Sequence, residues 1–302
     1  GWSYDSAKLR PFNLERSGTS LFDQVRNYSC NRSIYPNAFM KKRFLLSFLL
    51  VISSLLLSSS VFAAKETNAG KPEYYDLRVY TIKTEKQLKL IDDYWAKAAI
   101  PALKRLGCGP IGVFTELDAP EISKVYVLIP YPTLEAFAQA PDRLAADAEY
   151  QKAGADYLTA PKSDPAYVRF ESSLLVAFDG MKHAEVPQSP KSGKPWVFEL
   201  RTYESHSETK GNSKVKMFNS GEIPLMHEVN LGPVFFGQAL SGGQLPKLVY
   251  MVSGENKEEH QKHWKGFFDA PVWKQLIADQ SYNGNVSKVV STFLKRLASS
   301  QI

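Results

Sequence analysis

Tyr75-Asp76-Leu77-Arg78-Val79-Tyr80 returns 123 residues later as Phe198-Glu199-Leu200-Arg201-Thr202-Tyr203. The same offset carries Ile100-Pro101 onto Ile223-Pro224 and Gly109-Pro110 onto Gly232-Pro233. Further on, Val125-Tyr126 matches Val249-Tyr250, which suggests a shift of the offset to 124. Matches kept in order over this distance mark an internal repeat, and each repeat of about 115 residues is an ordinary domain size. The boundaries expected from this are a first unit over 72–183, a linker over 184–195 and a second unit over 196–298. The Pro/Ser/Gly/Lys stretch from Pro187 to Pro195 has the composition of a surface linker.

Within each unit the periodicity gives one order of elements. In the first, 74–82 alternates as a strand, and Thr84-Glu85-Lys86-Gln87 is a capping box. Leu88, Ile91, Trp95, Ala98 and Ala102 then share a helical face, which Pro101 should kink or break. Residues 111–117 and 124–129 are apolar strands around an Asp118-Ala119-Pro120 turn. A second helix, bent at Pro141, is expected over 133–158 and a last strand over 167–178. The second unit repeats this with strands at 196–204, 233–240, 247–253 and 286–296 and helices at 210–230 and 256–279. The order β-α-β-β-α-β is ferredoxin-like: an antiparallel sheet with both helices on one face. The bare faces of two such units in one chain can cover each other. The fold class expected is therefore α+β, with two tandem ferredoxin-like units packed sheet to sheet as an intrachain pseudo-dimer.

The motifs Asp/Glu-Leu-Arg-x-Tyr in a first strand, Gly-Pro before the second, and His263-Trp264-Lys265-Gly266-Phe267-Phe268-Asp269-Ala270-Pro271-Val272-Trp273 resemble the NIPSNAP family. That helix commonly reads Arg-x-x-Trp-x-x-Phe and then Asp-Pro-x-Trp; here Ala270 precedes the Pro and His263 the first Trp. The first unit is degenerate at this point, with Asp147-Ala148-Glu149-Tyr150 in place of Asp269 to Trp273. The resemblance covers about residues 74–296. It implies the dimeric α+β barrel fold, whose superfamily includes cofactor-free monooxygenases and haem-binding enzymes. It says more about fold than about reaction.

The chain has 37 Lys+Arg against 31 Asp+Glu, a net charge of +6. Such a balance invites a nucleic-acid reading, which fails once the charges are located. Residues 1–63 hold eight basic and three acidic residues; the remainder holds 29 basic and 28 acidic. Lys41-Lys42-Arg43, the apolar run from Phe44 to Leu57 and the small residues up to Ala63-Ala64 have the layout of a secretory signal peptide over 40–63, cut after Ala63. The expectation is an exported protein, periplasmic or extracellular, with no stable membrane anchor after cleavage and no nucleic-acid partner. Residues 1–39 precede Met40 and are expected to be an untranslated or non-native extension. Cys108, between Gly107 and Gly109, lacks a suitably spaced His or Cys and reads as a small buried residue.

In a strand, Asp76, Arg78 and Tyr80 share one face, as do Glu199, Arg201 and Tyr203. If the opposite, apolar faces meet the helices, these six point into the barrel interior. They are the candidate ligand-binding residues, for an anionic or hydroxylated small molecule between the sheets. The competing reading pairs each Arg with its neighbouring acid as a structural device. His227, just after the Pro224 kink, and Tyr203 are the candidate acid/base residues, with Arg201 binding an oxyanion in an oxygenase-like reaction. A haem ligated by His227 is a further alternative, and a surface His the plain one; otherwise no cofactor is expected. His260 and His263 stand i, i+3 on a helix beside Glu258, Glu259 and Lys262, which suggests a solvated face, and no metal site is assigned. A homo-oligomer is compatible with all of this. No Ser-His-Asp order, phosphate loop or dinucleotide fingerprint stands out.

Overall fold

A computed structural model describes residues 70–119, 123–188 and 197–302. The expected extension, the leader and most of the linker lie outside the described residues. In the first half, β1 (Tyr74–Thr81) is followed by α1 (Glu85–Tyr94), a π-helical turn (Trp95–Ala99) and α2 (Ile100–Arg105). Then come β2 (Gly112–Glu116), β3 (Lys124–Tyr131), α3 (Leu134–Ala145), α4 (Ala148–Ala153), α5 (Ala155–Leu158) and β4 (Arg169–Ala177). The second half has β5 (Val197–Glu204), α6 (Glu208–Met217), a π-helical turn (Phe218–Glu222) and α7 (Ile223–Glu228). It ends with β6 (Phe235–Ser241), β7 (Lys247–Gly254), α8 (Lys257–Asp269), α9 (Pro271–Ala278) and β8 (Lys288–Arg296). No helix of the described residues is long and apolar enough to cross a membrane.

Local signals act at the helix starts, and α6 begins two residues before the expected 210. Thr84 and Ser207 cap α1 and α6 through their side chains. In the expected capping box, the Gln87 side chain returns to the Lys83 N–H rather than to that of Thr84. Pro101 and Pro224 sit at the start of α2 and α7, and in both halves a π-helical turn precedes them. A proline cannot complete the i→i−4 ladder, and the wider turn absorbs the defect without ending the helix. The helix expected over 133–158 is three pieces. Pro141 lies inside α3, and the break comes later, where Asp147 accepts the Tyr150 N–H and caps α4.

The eight strands form one closed barrel in the order β1-β3-β2-β8-β5-β7-β6-β4. The first strand of each half is central: β1 pairs with β3 and β4, and β5 with β7 and β8. Closure comes from two antiparallel seams, β2 with β8 and β4 with β6. At the second seam a Cβ on Gly237 would lie 2.9 Å from that of Leu175, so only a glycine allows this approach. The register also corrects the offset. Arg78 faces Val127 across the ladder and Arg201 faces Tyr250, which keeps the spacing at 123. Tyr126, matched by letter to Tyr250, therefore lines the barrel interior while Tyr250 lies under the helices. A one-residue slip in a strand exchanges its faces.

The lumen is filled by side chains of both halves, with Leu77, Phe114 and Leu128 meeting Phe198, Leu200 and Met251. The Phe114 and Phe198 rings lie 4.9 Å apart. Two further apolar clusters hold each half's helices on the outside of the barrel. Truncating Phe198 to Ala should cost about 3–5 kcal/mol, because the cavity would open in a sealed core. The exposed Ile277→Ala should cost less than about 1 kcal/mol. Urea denaturation of the two variants checks the contrast.

Candidate functional site

The polar faces of β1 and β5 point away from the lumen. Tyr75 and Leu77 fill the barrel, while Tyr80 belongs to the cluster under α1 and the π-helical turn. The expectation that Asp76, Arg78, Tyr80, Glu199, Arg201 and Tyr203 line the interior is thus reversed. A closed eight-stranded barrel has an interior just wide enough for its own side chains, so the apolar face goes inward. The layer between sheet and helices reaches solvent at its edge. The Arg78 and Arg201 side chains keep 26% and 19% of their surface exposed there.

In the first half, Arg78 Nε donates to Asp76 Oδ2 at 2.7 Å and Ser172 Oγ donates to Asp76 Oδ1 at 2.6 Å. Register places Ser172 directly opposite Arg78 on β4. Asp76 is buried and the guanidinium borders an open cleft of about 520 Å³. Its walls are largely aromatic or apolar, among them Tyr94, Tyr131, Phe137, Tyr150 and Phe170. Pro141, Leu144 and Ala145 of α3 also line it. Burial works against the charged form of Arg78, but the Asp76 carboxylate, together with the Tyr80 and Tyr131 hydroxyls, outweighs it and moves the pKa up. Tyr80 lies beyond the cleft wall, fully buried against Tyr167 and Phe170, and accepts from the Tyr157 hydroxyl at 3.3 Å.

The second half holds the same strand motif in a filled layer. Arg201 Nη1 donates to Glu199 Oε1 at 2.5 Å, and Ser291, the counterpart of Ser172, donates to the same oxygen. Glu199 Oε2 receives His260 Nε2 at 2.8 Å and Trp264 Nε1 at 2.7 Å. The Arg201 guanidinium carbon stands 4.8 Å from the centre of the Trp264 ring. Arg201 Nη2 donates to the Tyr203 hydroxyl, which shares a 2.9 Å hydrogen bond with Tyr250. Burial pushes the Glu199 carboxyl up, but His260, Arg201, Ser291 and Trp264 together bring it down to about 2. An ionised Glu199 requires the proton of His260 on Nε2. The Trp264 N–H then goes to the carboxylate and not to the His nitrogen 3.1 Å away. Behind this layer Lys214 and Glu222 form a buried ion pair, with the Lys214 ammonium 4.7 Å from the centre of the Phe218 ring. Their counterparts in the first half are Ile91 and Ala99.

The structure thus brings Asp76 with Arg78 and Glu199 with Arg201, each acid paired with its Arg. His227 is exposed and lines a different depression, together with Gly232, Ser253 and His263. It does not face the barrel and does not meet Tyr203. His260, expected on a solvated face, is fully buried. Its partner Glu199 comes from a strand 61 residues away, which no helical pattern shows. Cys108 is buried, with its thiol pushed up to about 12 by burial. Sequence reasoning missed the roles of Ser172, Pro141, Ser291, Trp264, Lys214 and Glu222. Extending the 123-residue offset through the helices would have exposed one of them, since it sets Trp264 against Pro141.

A closed α+β barrel of two similar halves, with a paired Arg and acid beneath the helices of each, defines the class of this protein. The NIPSNAP family model matches residues 75–175 and 198–301, and the chain belongs to that family. Among solved structures, a candidate monooxygenase from Fusobacterium nucleatum is similar at 10% identity, over 75% of this chain and 93% of that one, with a TM-score of 0.48. A NIPSNAP-like domain protein from Burkholderia xenovorans is similar at 14% identity, over 34% of this chain and 86% of that one (TM-score 0.31). A haem-binding protein from Thermus thermophilus is similar at 10% identity, over 76% and 92% (TM-score 0.39). No curated protein matches the chain.

The depressed Glu199 carboxyl makes stability pH-dependent. Its contribution is present above the unfolded value near 4.5 and is lost as pH falls toward about 2. At about 1.4 kcal/mol per unit this amounts to about 3 kcal/mol. Between pH 6 and 2 the wild type should therefore lose on the order of 3 kcal/mol more stability than Glu199→Gln. Urea denaturation at a series of pH values measures the difference; other carboxylates are common to both proteins and cancel.

Proposed function

We propose that this protein binds a small, flat organic molecule in the cleft of its first half, and that its second half is a filled, structural counterpart. The observation that carries this reading is the cleft itself: an aromatic-walled space of about 520 Å³ with the Arg78–Asp76 pair at its floor. Mostly apolar walls with a few convergent polar groups are the usual makeup of a small-molecule site. The apolar walls take the body of the ligand and Arg78 orients its polar edge. We read the two halves as an intrachain counterpart of a two-chain barrel, in which one half keeps the site and the other gives it up. The leader-like segment at 40–63 supports action outside the cytoplasm.

The apolar fluorophore 8-anilinonaphthalene-1-sulfonate tests the reading on the full chain. One saturable site is expected per chain. Ala145→Phe and Pro141→Trp, which fill the cleft from α3, should each weaken binding at least tenfold. Arg78→Gln should weaken it by about tenfold, the worth of about 1.4 kcal/mol in a charge-assisted contact. Binding unaffected by all three substitutions would place the site elsewhere and overturn the reading.

A further inference from the structure

The two halves differ most where the first opens its cleft. Thr133 and Asn256 cap α3 and α8 in the same way, each side chain accepting the N–H three residues on, at 3.1 and 2.8 Å. Counting from these caps, Pro141 occupies the position of Trp264 and Ala145 that of Phe268. In the second half these aromatic rings are stacked, 5.5 Å apart and 18° from parallel. Phe137 likewise stands where His260 stands. The cleft of the first half is thus the space that an aromatic pair takes in the second.

The floor of that space is kept. Each half has an acid, an Arg two residues on, and a Ser opposite the Arg donating to the acid. What changes is the number of donors. Glu199 receives four: Arg201, Ser291, His260 and Trp264. Asp76 receives Arg78 and Ser172, while Phe137 and Pro141, in place of His260 and Trp264, have no side-chain donor. A carboxylate offers about four lone-pair positions. Asp76 is therefore a buried acceptor with capacity left, beside a guanidinium and under an open, aromatic-walled space.

Resting on the cleft reading above, we propose that Trp264 marks how the ligand sits: the cleft takes a planar aromatic molecule bearing a ring N–H, with indole as its prototype. The N–H bonds Asp76 as the Trp264 Nε1–H bonds Glu199, and the ring lies against Arg78 as the Trp264 ring lies against Arg201. The volume leaves room for substituents pointing out past Pro141 and Ala145, both of which are exposed.

Calorimetric titration of the full chain with indole and with 1-methylindole tests this. Indole should bind at one per chain, and 1-methylindole at least tenfold more weakly, because a site built around a donor rejects the analogue that lacks it. Pro141→Trp should abolish indole binding by supplying the ring from the chain. Trp264→Ala should raise the stoichiometry toward two. If that variant does not fold, the indole and 1-methylindole comparison on the wild type decides. Equal affinity for the two indoles overturns the inference. So does an absence of indole binding in a protein that holds the anilinonaphthalene probe in a Pro141-sensitive way, and in that case the cleft reading stands. Failure of both probes overturns both.

Discussion

The structure depends on closure of the barrel. Once β2 pairs with β8 and β4 with β6, no sheet edge among the described strands is left free. The middle layers of the lumen are apolar, with Leu77, Phe114, Phe198, Leu200 and Met251, while at one end Lys247 donates to Ser173. The charged half of the strand motif goes to the only other layer available, beneath the helices, where a guanidinium can keep part of its surface wet. Closure thus places the paired Arg and acid of each half in a sheet–helix layer rather than in the middle of the lumen.

The two layers have diverged from a common plan. Both keep an Arg–acid pair and a Ser opposite the Arg. The second half completes its acid with His260 and Trp264, stacks Phe268 on the indole and adds a buried Lys214–Glu222 pair where the first half has Ile91 and Ala99. The first half leaves the acid with two donors and the space open. A buried acid with four donors rigidifies its surroundings, and one with two can accept a further donor from a ligand. The difference between the filled half and the open half comes down to a handful of side chains on one helix.

Much of the fold was legible because it is written in local signals and in a repeat. The strand motif at 75–80 and 198–203, the cap at Thr84 and the prolines at 101 and 224 act over a few residues, and repetition made the strand motif and the prolines mutually supporting. Which face of β1 turns inward was not legible. Both faces are covered, and the alternation of Leu77 with Arg78 does not say which cover is the sealed one; only the long-range seams decide it. The burial of His260 is hidden for a related reason: the Glu and Lys beside it in sequence suggest a solvated face, while its partner Glu199 sits on β5. The Arg–acid pairing, one of the two alternatives open from sequence, is present in both halves, while the cleft beside one pair depends on Pro141 and Ala145, residues that carry no chemistry of their own.

The central claim is that the first half is open where the second is filled by Trp264. A crystal structure of the full chain grown with indole measures this directly. The account predicts one ring per chain, lying against Arg78 with its nitrogen within hydrogen-bond distance of Asp76, and no ring beneath α8. A ring bound anywhere else, or a first half whose α3 has closed onto Arg78 and left no space, would contradict it.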